Sequence, residues 1–254
     1  MLIGDLGQIL RDEMSERQEE GYNITGVEGL LSGIEIKTVD DLRSFIGVLE
    51  RCPFRSDFPY KEPSSLSEIV GERPRKLEKV SAKLSDEELF DKIYGGWLGR
   101  CAGCLLGKPV EGLSREQIEV WLRIADAYPL KDYFPPLRDL PEDAPNWLKN
   151  RLHYIDDYFR RTGVGVLRGQ ISRMARDDDI DYTIINLHIL ENYGLNFTTM
   201  NVGEAWLRLL PYLQVYTAER AAYRNLVNGL EPPETATYMN PYREWIGAQI
   251  RADM

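Results

Sequence analysis

The densest run of groups able to do chemistry is Arg176-Asp177-Asp178-Asp179-Ile180-Asp181-Tyr182-Thr183, in which four carboxylates fall within five residues. An apolar series follows, with Ile180, Ile184 and Leu187 at helical spacing. Acids at a helix N-terminus interact well with the macrodipole, each by about 0.3–1 kcal/mol, and one or two would suffice for that role. Three in succession repel one another, and ahead of a helix expected to be buried they need cations to neutralise them. Carboxylate oxygens are hard donors that select magnesium, calcium or manganese over zinc. Asp177, Asp178 and Asp179 are therefore candidate ligands for such an ion, and equally candidate helix caps. Thr183 lies one turn beyond Asp179 on the same helix face.

Glu111 is the second candidate. It closes the stretch Gly103-Cys104-Leu105-Leu106-Gly107-Lys108-Pro109-Val110-Glu111. A carboxylate just past a helix end, beside bare backbone, can act as a catalytic acid or base; it can also be an ordinary surface glutamate. The pair Cys101 and Cys104 has thioredoxin-like spacing but is expected on a helix, without the preceding strand that such a motif needs. Zinc would require two more ligands from Cys52, His153 and His188, and their spacing does not suggest it. Both cysteines read as packing residues, and His188 as a hydrogen-bonded core histidine. The stretch from Thr162 to Gly169, TGVGVLRG, fits neither the P-loop nor the dinucleotide fingerprint.

The elements that must hold these groups are helical. Ser85 with Glu88 forms a capping box ahead of Leu89, Ile93, Trp97 and Cys101, which recur at helical spacing. On that helix Gly95, Gly99, Gly103 and Gly107 recur every four residues. A helical glycine costs about 1 kcal/mol relative to alanine, so the bare stripe implies close approach of a neighbouring helix or of a ligand. Ser114 with Gln117 opens a further helix to about Ala127. Residues 128–150, with five prolines and several aromatics, read as an ordered loop. Helices are expected at Asp179–Tyr193, stopped by Gly194, at Val202–Leu213 and at Thr217–Asn228. Upstream, Leu6, Ile9, Leu10 and Met14 mark a helix ended by Gly21, another covers Val39–Glu50, and Cys52–Arg75 is a proline-containing connector. Strand-like alternation is almost absent, so the expected class is all-α. The expected division is an N-terminal helical and irregular extension over 1–80 and a main body over 81–254.

Composition narrows the function classes. The chain has 254 residues and a formal charge of −10, from 31 Lys+Arg against 41 Asp+Glu. This argues against a broad electrostatic grip on nucleic acid or an anionic membrane. An acidic protein that handles a polyanion would need metal ions or backbone donors at its site. Three cysteines, and a start with neither basic n-region nor apolar h-region, suit a reducing, cytoplasmic setting.

Three blocks together resemble the ADP-ribosylglycohydrolase family, which includes the dinitrogenase reductase-activating glycohydrolase and the hydrolases of ADP-ribosyl-arginine and ADP-ribosyl-serine. Residues 91–111, DKIYGGWLGRCAGCLLGKPVE, are similar to the family's opening helix, D-x-x-x-G-x-x-x-G-x-x-x-G-D-x-x-G-x-P-x-E. Asp177-Asp178-Asp179-Ile180-Asp181-Tyr182-Thr183 is similar to its T-D-D-T-x-x-T. Residues 240–253, NPYREWIGAQIRAD, resemble a stretch carrying a Gly-Ala element and an arginine near the substrate.

The resemblance implies an all-helical fold, two magnesium ions with manganese as a substitute, and a substrate in which ADP-ribose is joined to a protein side chain or a small molecule. It places Asp178 and Asp179 as metal ligands, Asp177 where a metal-binding threonine is usual, and Glu111 near the reacting ribose. Asn240, Gly247 and Ala248 stand as substrate-binding residues. Two departures accompany it. Cys104 occupies a position where the family usually has aspartate, and no second D-x-D-T-like motif follows Asp181. Since the third block breaks off at Met254, the resemblance implies that this chain carries the N-terminal portion of the catalytic domain and one side of its metal site. It also leaves open a non-catalytic helical binding or structural relative. An unrelated helical protein whose acids are only caps is a third alternative.

Overall fold

Capping explains most of the helix starts. Ser85 Oγ accepts from the Glu88 N–H at 3.2 Å while the Ser85 N–H donates to Glu88 Oε2 at 2.8 Å. The same reciprocal pair recurs at Thr38 with Asp41, Ser114 with Gln117 and Thr198 with Asn201. Each satisfies two backbone donors that a helix start leaves without partners.

The computed structural model describes residues 5–31, 36–74, 83–137 and 139–252. Arg75, at the end of the expected connector, the boundary expected at 80/81, and Asp253, at the end of the third block, lie outside the described residues. The helices are α1 Leu6–Glu19, α2 Thr25–Leu31, α3 Val39–Leu49, α4 Leu66–Gly71, α5 Asp86–Gly107, α6 Arg115–Ile124, α7 Asn146–Thr162, α8 Asp178–Tyr193, α9 Thr199–Leu209, α10 Thr217–Val227 and α11 Glu234–Thr237. No strand occurs among the described residues; one isolated bridge joins Tyr22 and Phe54. The architecture is all-helical, as the missing alternation predicts. No helix among the described residues is long and apolar enough to cross a membrane.

The chain separates into two compact units, Met1–Ser81 with Thr183–Met254, and Ala82–Tyr182. In the second, α6, α7 and the turns after each enclose a core of Trp121, Leu122, Phe134, Leu148, Ile155, Val164 and Val166. Trp121 is fully buried, and its indole N–H donates to the Pro135 carbonyl at 3.2 Å. Val164, Val166 and Leu167 are buried, so the TGVGVLRG stretch is core rather than an anion cradle. On α5 only Leu105 is buried. Within its own unit the glycine stripe faces open space, since a Cβ placed on Gly95, Gly99, Gly103 or Gly107 meets nothing within 4 Å.

The first unit is built around Ile9 and Leu10 of α1, Ile24, Leu42, Ile46 and Leu49 of α3, and Met239. Charged groups also hold it. Arg243 donates to Glu20 at 2.7 and 2.8 Å and to Glu13 at 2.9 Å, and the Glu244 N–H donates to Glu16 Oε1 at 3.1 Å. Glu13 and Glu16 are each only 2% exposed.

Two expectations need correction. A five-turn helix, α7, starts inside the stretch read as loop; it opens behind Pro145 with no side-chain cap, so the usual start signal is missing. His188 is exposed rather than in the core. Ile185 and Ile189 take the buried face of α8, and the His188 ring lies 3.2 Å from the Asn192 side-chain amide on the same helix.

Candidate metal centre

The groups at issue belong to the unit Ala82–Tyr182. Asp177 immediately precedes α8. Its carbonyl accepts from the N–H groups of Ile180 and Asp181 at 3.1 and 2.9 Å, and Oδ1 lies 3.4 Å from the Asp179 N–H. Asp177 therefore does serve the start of the helix. Its other oxygen points elsewhere: Oδ2 is 2.8 Å from the ammonium of Lys108. Lys108 opens the short 3₁₀ turn Lys108–Val110 at the C-terminal end of α5, where Pro109 stops the α-helix.

Cys104, one turn before Lys108 on α5, brings its thiol into the same cluster. Ligand atoms of Cys104, Asp177 and Asp179 all lie within 4.8 Å of one another. The packing role expected for Cys104 is thus only part of its account. Asp178 does not share that group of atoms, but its carboxyl interacts with that of Asp177. Arg100, a further turn back on α5, donates to the Asp179 carbonyl at 3.0 Å. Asp181 is taken by Arg176 at 2.7 Å.

Glu111 joins through Lys108, whose ammonium lies 3.4 Å from Glu111 Oε2. The glutamate side chain is 66% exposed, so it faces solvent from the edge of the cluster. Its backbone is fixed from α7, where the Arg151 guanidinium donates to the Glu111 carbonyl at 2.6 Å. Gly112 follows with φ +75°, a conformation that glycine adopts without steric cost.

The electrostatics are those of crowded, half-buried acids. Burial opposes ionisation of Asp177, but the hydrogen bond and charge of Lys108, with hydrogen bonds from Asp178 and Asp179, hold it below the usual carboxylate range. Burial pushes Asp178 up to about 7, and its hydrogen bond and repulsion with ionised Asp177 act in the same direction. Asp179 is raised by burial and then by Asp177. The Cys104 thiol is pushed up by burial and by the charges of Asp177 and Asp179. Lys108 sits well above the ordinary lysine value: burial works against its charge, and its bond to Asp177 outweighs that. Two neighbouring acids raised and a third held ionised are the signature of a site short of positive charge.

The structure brings Asp177, Asp179, Cys104 and Lys108 together, with Asp178 beside them and Glu111 at the rim. Asn240, Gly247 and Ala248 belong to the other unit. Asn240 is buried, and its amide donates to the carbonyls of Ala218 and Ala236 at 3.1 and 2.8 Å. Gly247 lies against Glu219 and Arg251, and Ala248 is exposed. Lys108 is the residue that sequence reasoning missed. The available signal was periodicity, since Arg100, Cys104 and Lys108 recur every four residues along α5.

A family model described as ADP-ribosylglycohydrolase matches residues 85–253. No curated protein and no solved structure matches the chain.

Proposed function

This chain belongs to the ADP-ribosylglycohydrolase family, and from that premise we propose that it takes part in metal-dependent hydrolysis of the glycosidic bond joining ADP-ribose to a protein side chain or a small molecule. The juxtaposition of Asp177, Asp179 and Cys104 within 4.8 Å carries this reading. Two hard carboxylates on one helix start, in a half-buried cluster short of positive charge, suit magnesium or manganese.

Asp177 and Asp179 would hold the ion, with Asp178 supporting them. When bound, such an ion would contribute Lewis-acid polarisation of the ribose hydroxyls and orientation of the attacking water. Cleavage at the anomeric carbon passes through an oxocarbenium-like transition state, with positive charge building on the sugar. Glu111, open to solvent and held in place through Lys108 and Arg151, handles the proton: it takes one from the water or gives one to the leaving group.

The test uses the full chain with arginine- and serine-linked ADP-ribosyl peptides. Release of ADP-ribose, weak because this chain carries one side of the metal site, should need magnesium or manganese, stop with EDTA, and fall at least ~100-fold in Asp179→Ala, the scale of losing a catalytic electrostatic contact. Metal-independent release, or full turnover in that variant, would refute the reading. Cys104, standing where the family usually has a carboxylate, favours a second reading in which the chain binds ADP-ribose without cutting it. Calorimetric binding of ADP-ribose with no hydrolysis of either peptide would select that one.

A further inference from the structure

We propose that this centre takes a single divalent cation, the ammonium of Lys108 standing where a second would lie. The inference rests on the metal-binding reading above and narrows it, because the resemblance by itself implies two ions.

The geometry comes first. One oxygen of Asp177 is committed to Lys108 at 2.8 Å, with the lysine side chain 18% and the aspartate side chain 4% exposed. The same ammonium reaches Glu111 at 3.4 Å. Lys108 thus bridges the buried aspartate and the rim glutamate, as a bridging metal ion would. The Asp177 carboxylate also lies within 4.8 Å of ligand atoms of Asp179 and Cys104, the group that would share an ion. A second divalent ion on Asp177 would sit within a few ångströms of a held ammonium, in surroundings where water screens charge poorly.

Charge points the same way. Asp181 is neutralised by Arg176 at 2.7 Å. Asp177, Asp178, Asp179 and Glu111 then face Lys108 and Arg100, which leaves two negative charges when all four acids are ionised. One divalent ion balances them. Two would leave, among the groups this chain supplies, a half-buried excess of two positive charges, an arrangement proteins avoid because uncompensated buried charge is costly. The lysine is also tethered: its own chain places it, and it cannot be removed by a chelator.

The experiment is a manganese titration of the full chain, with bound ion counted by electron paramagnetic resonance of free manganese. The wild-type chain should bind one manganese. Lys108→Met should bind two, or bind the first at least tenfold more tightly. Lys108→Arg, which keeps the charge, should stay at one with near wild-type affinity. Circular dichroism on each variant verifies the fold, and Lys108→Gln serves if the methionine variant does not fold. Two ions in the wild-type chain, or neutral variants that match it in both number and affinity, would overturn the inference and leave the metal reading standing. No manganese bound to wild-type or variant chains would overturn the metal reading itself, and the inference with it.

Discussion

Replacing Glu16 by glutamine should remove most of a pH dependence of stability that the first unit carries. Glu16 lies on α1, 2% exposed, and its Oε1 accepts from the Glu244 N–H at 3.1 Å. Burial pushes its carboxyl from 4.5 up to about 7; the Glu244 hydrogen bond and Arg243 oppose the rise, and Glu20 and Glu244 add to it. Between those two values the folded chain holds a proton that the unfolded chain has released. This contribution is therefore fully present below the unfolded value and is lost as pH rises through about 7. Each pH unit in the window is worth roughly 1.4 kcal/mol, so from about pH 5.5 to about pH 8 the wild-type chain should lose about 2 kcal/mol through this residue. Glutamine keeps the shape and the acceptor for Glu244 but carries no charge at any pH. Urea denaturation of both proteins at the two pH values measures the difference. The glutamine variant should be the more stable at the higher pH, with a pH response flatter by that amount. Parallel pH responses would show that Glu16 titrates in the ordinary carboxylate range.

Arg243→Met leaves Glu13 and Glu20 without their shared guanidinium, at present 2.9 and 2.7 Å away. Arg17 stays beside both acids, 3.0 Å from Glu13 and 3.6 Å from Glu20, so the loss falls short of the about 3–5 kcal/mol of a buried charge left wholly unpaired; urea denaturation should show about 1–3 kcal/mol, the worth of charged hydrogen bonds, and a loss below about 1 kcal/mol would make the network a surface one. Gly165→Ala places a methyl 2.6 Å from the Gln170 carbonyl oxygen and 2.5 Å from its Cβ. Backbone cannot yield there cheaply, and a loss of about 1–3 kcal/mol is expected, with thermal denaturation as the measurement.

Local features were readable in proportion to how local their physics is. Ser85 with Glu88 and Ser114 with Gln117 announce helix starts because both partners lie within one turn. Gly194 ends α8 at φ +62°, a conformation that disfavours other residues. The prolines of 128–145 correctly mark irregular chain, but they hid α7, which opens without a capping side chain. His188 misled because the apolar series on α8 is wide enough to suggest burial on every side, whereas Ile184 and Leu187 are 53% and 50% exposed. At the candidate site the acidic triplet and Glu111 stand out in the sequence by density and by position. Lys108 does not, because its meaning comes from Asp177, a partner 69 positions away that only folding brings within 2.8 Å. Cys104 had a consistent reading as a small apolar residue until its neighbours were known.

The Arg243 network has a consequence for where this chain can be cut. The family match begins at residue 85, yet the stretch from Tyr238 to Glu244 rests on residues that precede it. Tyr242 donates to Asp12 at 2.8 Å, Tyr238 accepts from Arg43 at 2.7 Å, and Met239 shares a core with Leu10, Leu42 and Leu49. Trimming to the matched boundary would strip the floor from under the third block: a guanidinium built to be enclosed would meet water, and an apolar underside would be bared with it. In this protein the unmatched opening segment is scaffold for the matched end.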